Sequence, residues 1–83
     1  MAGDRLVTLY SRPGCHLCEE MQAVIARVGA SVPLTLQVID ISGDPALEAR
    51  YGLEIPVLLI DGRKAAKYRI EDRALEERLR RRT

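Results

Sequence analysis

The chain has two cysteines, and both lie in one short stretch, Ser11-Arg12-Pro13-Gly14-Cys15-His16-Leu17-Cys18. Two thiols separated by two residues admit three chemistries: a reversible disulfide, half of a metal site, or a pair of inert apolar side chains. On a helix, residues i and i+3 face the same way, so Cys15 and Cys18 can reach disulfide geometry, with Cα atoms about 5 to 6 Å apart. A thiol at a helix start meets unpaired backbone N–H groups and the positive end of the helix dipole, which favours thiolate. C-x-x-C thiols ionise at roughly 3.5 to 7.5, against about 8.5 for free cysteine. Cys15 is therefore the expected nucleophile. Cys18, one turn further in beside Leu17, is the more shielded and is expected to resolve a mixed disulfide formed on Cys15.

Arg12 and His16 add positive charge beside Cys15. Arg12 is a candidate contact for an anion or substrate, and His16, the one histidine of the chain, a candidate tuner of the redox chemistry. A structural zinc site needs four Cys or His ligands, and two cysteines and one histidine on one turn cannot close it without ligands from elsewhere. The inert reading fits free cysteine as a small hydrophobe, but a position between a strand and a helix, after a Pro-Gly turn, speaks against it.

Placing these thiols falls to a small domain. Eighty-three residues suffice for one core, and with 47% apolar residues, no Phe and no Trp that core must be largely aliphatic. A formal charge of +1 supplies no field to attract nucleic acid or an anionic membrane. The segment from Met1 to Ser11 pairs Asp4 and Arg5 with a short apolar run, so it offers neither a secretion signal nor a spanning segment. A cytoplasmic location is expected, where thiols are kept reduced and a C-x-x-C pair is more often catalytic or metal-binding than a static crosslink.

Leu6 to Tyr10 reads as a strand buried on both faces, ended by Pro13-Gly14. Leu17, Met21, Val24, Ile25 and Val28 form a helical stripe, with Glu19 and Glu20 in the first turn, Arg27 in the last and Gly29 placed to end the helix in a left-handed conformation. Leu34 to Ile41 is a second strand, parallel to the first through a right-handed crossover. Asp44 as N-cap, Pro45 at the first helical position and Gly52 at the end bracket a short second helix. Val57 to Ile60 is a third strand, and Asp61-Gly62 suits a tight hairpin into an antiparallel fourth strand over about Lys64 to Arg69. Ile70, Leu75 and Leu79 mark a final helix from about Asp72, ending in Arg78, Arg80, Arg81 and Arg82. The order β-α-β-α-β-β-α predicts a single α/β domain, a mixed four-stranded sheet with helices on both faces.

The runs T-L-Y-S-R-P-G-C-H-L-C and Y-G-L-E-I-P-V-L-L-I-D-G resemble the glutaredoxin-like members of the thioredoxin superfamily, over about residues 5 to 79. The resemblance implies the minimal thioredoxin fold with strand order 2-1-3-4. It also implies that Pro56 is the cis-proline beside the active-site disulfide, holding the backbone of Ile55 open to an extended thiol substrate.

Departures from the familiar glutaredoxins affect the substrate. His16-Leu17 stand where C-P-Y-C has proline and an aromatic, and the Gly-Gly pair that closes on glutathione would fall at Ala66-Lys67, where the strand is expected to run on through Ile70. Asp72 could stand near the glutathione position but reads better as a plain N-cap. The implied activity is a monomeric thiol-disulfide oxidoreductase acting on protein or small-molecule disulfides. No cofactor beyond the disulfide is expected, and either a thioredoxin-type protein or glutathione is the reductant. Two other readings stay open: an iron-sulfur or metal carrier using Cys15 with external thiols, and a redox-inactive module docking through the Ile55-Pro56 edge or the basic last helix.

Overall fold

The computed structural model describes residues 5–81; Asp4 and Arg82, named above, lie outside them. Strand β1 (Arg5–Ser11) leads to helix α1 (His16–Gly29), then β2 (Leu34–Asp40), α2 (Pro45–Tyr51), β3 (Val57–Ile60), β4 (Arg63–Lys67) and α3 (Asp72–Arg80). The sheet has the order β2-β1-β3-β4. β1 pairs parallel with β2 and antiparallel with β3, and β3 pairs antiparallel with β4. This is the α/β thioredoxin fold expected above.

Side chains alternate across the sheet, as a strand period of two requires. Val7, Leu9, Leu58 and Ile60 point to one face, where Met21, Ile25 and Val28 of α1 and Leu75 and Leu79 of α3 complete the larger core. Tyr10, Val57 and Leu59 point to the other, against Ile41 and the Leu47–Tyr51 side of α2. There Tyr10 and Tyr51 stack with ring centroids 4.3 Å apart.

Local signals set most boundaries. Asp44 accepts from the backbone N–H groups of Ala46 and Leu47, with Pro45 opening α2 and Gly52 closing it. The Asp61-Gly62 turn has both residues at positive φ, 52° and 87°, the pattern a two-residue hairpin with strand-matched twist requires. Asp61 holds its unusual backbone through its surroundings: its N–H donates to the Leu6 carbonyl, and its carboxylate accepts from the Leu6 N–H at 2.9 Å and from the Arg5 guanidinium.

The structure corrects several expectations. Gly29 does not turn left-handed; α1 closes through Ala30 at φ −70°, and the Val28 carbonyl accepts from both Ser31 and Val32. Continuing the right-handed coil draws Val32 into the core, which a reversal at Gly29 would not do. The buried stripe of α1 is rotated from the one expected: Cys18 joins it, while Leu17 and Val24 are half-exposed.

The fourth strand stops at Lys67 instead of running to Ile70. Lys67 faces Val57, the first residue of β3, and the residue before it is a proline with no N–H to extend the ladder. The chain then turns at Tyr68, φ +70°. Asp72 is not the N-cap of α3. Glu71 holds that position without a side-chain cap, and Asp72 instead binds Arg27 of α1 through both carboxylate oxygens, at 2.7 and 3.0 Å. That pair raises the pKa of Arg27 and lowers that of Asp72, in each case chiefly through the hydrogen bond between them.

The bond from the Leu6 N–H, and after it that from Arg5, holds the Asp61 carboxyl below its ordinary value of 3.8. A depressed carboxyl stabilises the fold above its unfolded pKa, and the contribution is lost as pH falls through the folded value. Asp61→Asn, which tolerates positive φ, is therefore expected to melt a few degrees below wild type at neutral pH. Thermal melts across a pH series should show the gap closing below 3.8.

Candidate active site

β1 carries the chain to one end of the sheet, where a tight turn delivers the cysteines. The Cys15 N–H donates to the Arg12 carbonyl at 3.3 Å, with Pro13 and Gly14 between and Gly14 at φ +79°. Proline presets φ at the second turn position, and glycine takes the positive φ that a type II turn needs at the third. Cys15 then occupies the N-cap of α1 in an extended conformation, and its Sγ accepts the Cys18 backbone N–H at 3.1 Å. A sulfur thus stands where helices usually place a Ser or Asp oxygen, satisfying an otherwise unpaired helix donor.

Cys15 and Cys18 are disulfide-bonded, with Cα atoms 5.2 Å apart. The two sulfurs are not equivalent. Cys15 is half-buried at the rim, whereas Cys18 is 4% exposed. A cavity of about 240 Å³ opens beside them, lined by Ser11, Arg12, Glu19 and Asp40 as well as both cysteines.

The register Tyr10↔Val57 places the residues after β1 and those before β3 at the same end of the sheet. Ile55 and Pro56 therefore share that end with the Arg12–Cys15 turn. The Ile55–Pro56 peptide bond is cis, as the resemblance implied; Pro56 is buried and Ile55 half-buried against the α2-side core. The preceding Leu53 is 93% exposed, and Glu54 bonds Lys64 at 2.7 Å with Lys67 nearby. The hydrogen bond from Lys64 is the main cause that lowers the Glu54 pKa.

The two candidate cations differ in engagement. Arg12 lines the cavity beside the disulfide, but its guanidinium bonds Glu48 of α2 at 2.6 Å, which anchors the turn before Cys15. His16 is next to Cys15 in sequence yet 82% exposed, with Nε2 2.9 Å from a Glu20 oxygen one turn on.

The sequence reading missed Tyr68. Its N–H donates to the Pro56 carbonyl at 2.9 Å and its hydroxyl to the Leu53 carbonyl at 3.0 Å, so one residue at the end of β4 grips both ends of the loop before β3. The available signal was the proline opposite, which ends the ladder where Tyr68 takes over. Among the described residues, no group of three or more His, Cys, Asp or Glu side chains is placed to hold a metal ion, and no helix is long and apolar enough to cross a membrane.

A cysteine pair at the start of the helix after the first strand, at the same end of the sheet as a cis-proline entry to the third, defines a thioredoxin-fold protein with a disulfide centre and supports a redox role. The chain belongs to the glutaredoxin-like family: the description "Glutaredoxin-like domain (DUF836)" matches residues 6–82. It is similar to the solved structure of Ne2328 from Nitrosomonas europaea, with 30% identity, TM-score 0.82 and 95% of each chain covered. It is also similar to XcR50 from X. campestris, with 34% identity, TM-score 0.73, and 88% of this chain and 93% of that one covered. The uncharacterized protein Rv0508 of Mycobacterium tuberculosis is 28% identical over 74 residues, 83% of this chain and 76% of that protein.

The difference in burial and helix position has a direct chemical readout. After reduction, Cys15 is expected to react with iodoacetamide at neutral pH much faster than Cys18, because thiolate character and access both favour it. Mass spectrometry of briefly alkylated protein should locate the first adduct on Cys15. Equal labelling of the two would remove the assignment of roles.

Proposed function

We propose that this protein is a thiol-disulfide oxidoreductase in which Cys15 attacks and Cys18 resolves. The observation that carries the reading is the asymmetry of the pair: Cys15 is half-exposed at the helix cap with its sulfur receiving a backbone N–H, and Cys18 is buried one turn in. In the reduced protein the Cys15 thiolate attacks one sulfur of a substrate disulfide. The substrate S–S bond breaks, a Cys15–substrate disulfide forms, and the departing substrate thiolate takes up a proton from water.

Cys18 then gives its proton to solvent and attacks the Cys15 sulfur. The Cys15–Cys18 bond forms, and the second substrate thiolate leaves and is protonated. The substrate gains two electrons and two protons; the protein loses two electrons and the Cys18 proton, and water supplies the other proton. A backbone N–H receiving the partial charge on Cys15 favours its thiolate both as attacker and as leaving group.

Ile55 and Pro56 offer the extended backbone on which a substrate cysteine would lie, with Arg12 flanking it, and His16 contributes charge at the rim. No resident cofactor enters the scheme. A thioredoxin-type protein or glutathione restores the dithiol, the substrates are protein or small-molecule disulfides, and the setting is the cytoplasm, with the chain acting as a monomer.

Insulin reduction with dithiothreitol as the electron source tests the proposal. Cys15→Ser is expected to abolish catalysis above the dithiothreitol background. Cys18→Ser is expected to accumulate a mixed disulfide with insulin, visible as a mass adduct that dithiothreitol removes. A Cys15→Ser protein as active as wild type would sink the proposal.

A further inference from the structure

A second concavity lies apart from the one that faces the disulfide from the Arg12 side. It is a groove of about 610 Å³ that begins at Leu17, between the two cysteines in sequence, and runs between α1 and α3 over the end of β4. Its volume is that of a ligand pocket, and pockets that hold ligands commonly fall in the range of about 300 to 1,000 Å³. The floor is aliphatic and shallow-chained: Met21, Val24, Ala65, Ala66, Ile70 and Ala74. A register shift between Leu58 and Leu59 leaves Ala65 without a partner across the strand pair, so two consecutive alanines, both half-buried, line the groove. Three alanines leave room that larger side chains would fill.

The charges around this groove are already engaged in a way that selects its occupant. Arg69 lies 3.9 Å from Glu20, and Arg78 donates to the Ala65 carbonyl at 3.4 Å. Arg27 holds Asp72. Near the disulfide Arg12 is bound to Glu48, and Lys64 and Lys67 lie against Glu54. Two rim carboxylates, Glu71 and Glu77, have no ion-pair partner among the described residues. Glutathione, with two carboxylates and one ammonium, would have to draw Arg69 from Glu20 or Arg78 from the Ala65 carbonyl, and would carry net negative charge past the unpaired Glu71 and Glu77. A neutral or basic apolar segment meets neither cost. Arg78 also occupies the Ala65 carbonyl at the β4 edge, so that position reads side chains and not an added strand.

We infer that this groove recognises an extended segment of a client protein, apolar beside its disulfide cysteine and neutral or basic beyond it. The dithiol thereby serves protein disulfides in preference to glutathione. The inference rests on the oxidoreductase reading and names its substrate class. Because the groove starts at Leu17, a client cysteine joined to Cys15 would bring its neighbouring residues to the apolar floor, and Tyr68 at the rim supplies a half-exposed ring for them to pack on.

The test compares turnover of three disulfides by the whole protein: the homodimer of Ac-Ala-Leu-Cys-Leu-Lys-amide, the same peptide with glycine for each leucine, and glutathione disulfide. Hydroxyethyl disulfide, too small to reach the groove, reports the dithiol alone. Wild type is expected to favour the leucine peptide over the glycine peptide by about tenfold or more in kcat/KM, as a filled apolar pocket does. Glutathione disulfide should fare no better than hydroxyethyl disulfide.

Ala74→Trp, at an exposed edge of the groove's apolar lining, should erase the leucine preference and leave hydroxyethyl disulfide turnover at the wild-type rate; Ala74→Ser should keep the preference. Equal wild-type rates on the two peptides, or a selective loss of glutathione disulfide turnover in Ala74→Trp, would overturn the groove assignment. Loss of the parent activity looks different, as no turnover of any disulfide, hydroxyethyl disulfide included. A readout independent of Ala74→Trp comes from the Cys18→Ser protein trapped with each peptide. The methyl resonances of Val24, Ala66 and Ala74 should shift with the leucine adduct and not with the glycine adduct, and identical spectra would likewise reject the groove.

Discussion

The molecule depends on the two different neighbours of β1. Parallel pairing with β2 obliges the intervening chain to cross over as α1, and antiparallel pairing with β3 obliges the entry to β3 to sit beside the exit from β1. The C-x-x-C turn leaves β1 and the Ile55-Pro56 step enters β3, so one strand brings together two motifs about 40 residues apart in the chain. Its side chains also split between the two cores, Val7 and Leu9 on one face and Tyr10 on the other. A register slip in β1 would turn those faces around and move both motifs at once.

Around that end of the sheet the protein ties down its loops with polar contacts more than with apolar bulk. Arg12 joins the turn before Cys15 to α2, Glu54 joins the loop before β3 to β4, and Tyr68 grips the same loop by backbone and hydroxyl. Exposed ion pairs contribute little each to stability, so their main effect is geometric: they fix the surroundings of the sulfurs while Leu17, Leu53 and Tyr68 remain open to solvent in part or nearly whole.

Elements governed by local rules were legible in the sequence. Pro13-Gly14, Asp44-Pro45 and Asp61-Gly62 act through their own backbone preferences, and the positions they mark are those observed. The expectations that failed were those in which a distant partner decides. Gly29 is able to turn left-handed, but burial of Val32 rewards the right-handed continuation. The strand after Ala66 has the composition to continue, but Pro56 across from it has no N–H to offer. Asp72 is a good capping residue, but Arg27, 45 positions away, binds it first. The difference in burial between the cysteines was readable because helix position alone distinguishes them, whereas the groove between α1 and α3 is a product of packing that no single segment encodes.

Arg5 anchors the opposite end of the sheet. Its guanidinium donates to the carbonyls of Leu79 and Arg81 at 2.6 and 2.9 Å, and also meets Asp61 in the hairpin turn. The two ends of the described chain are thus fastened to each other, at the far end of a seven-residue strand from the disulfide, about 20 Å away at the usual rise. A short linker could close the backbone into a ring there, or a tether could fix the protein to a surface, with the disulfide end of the sheet left free.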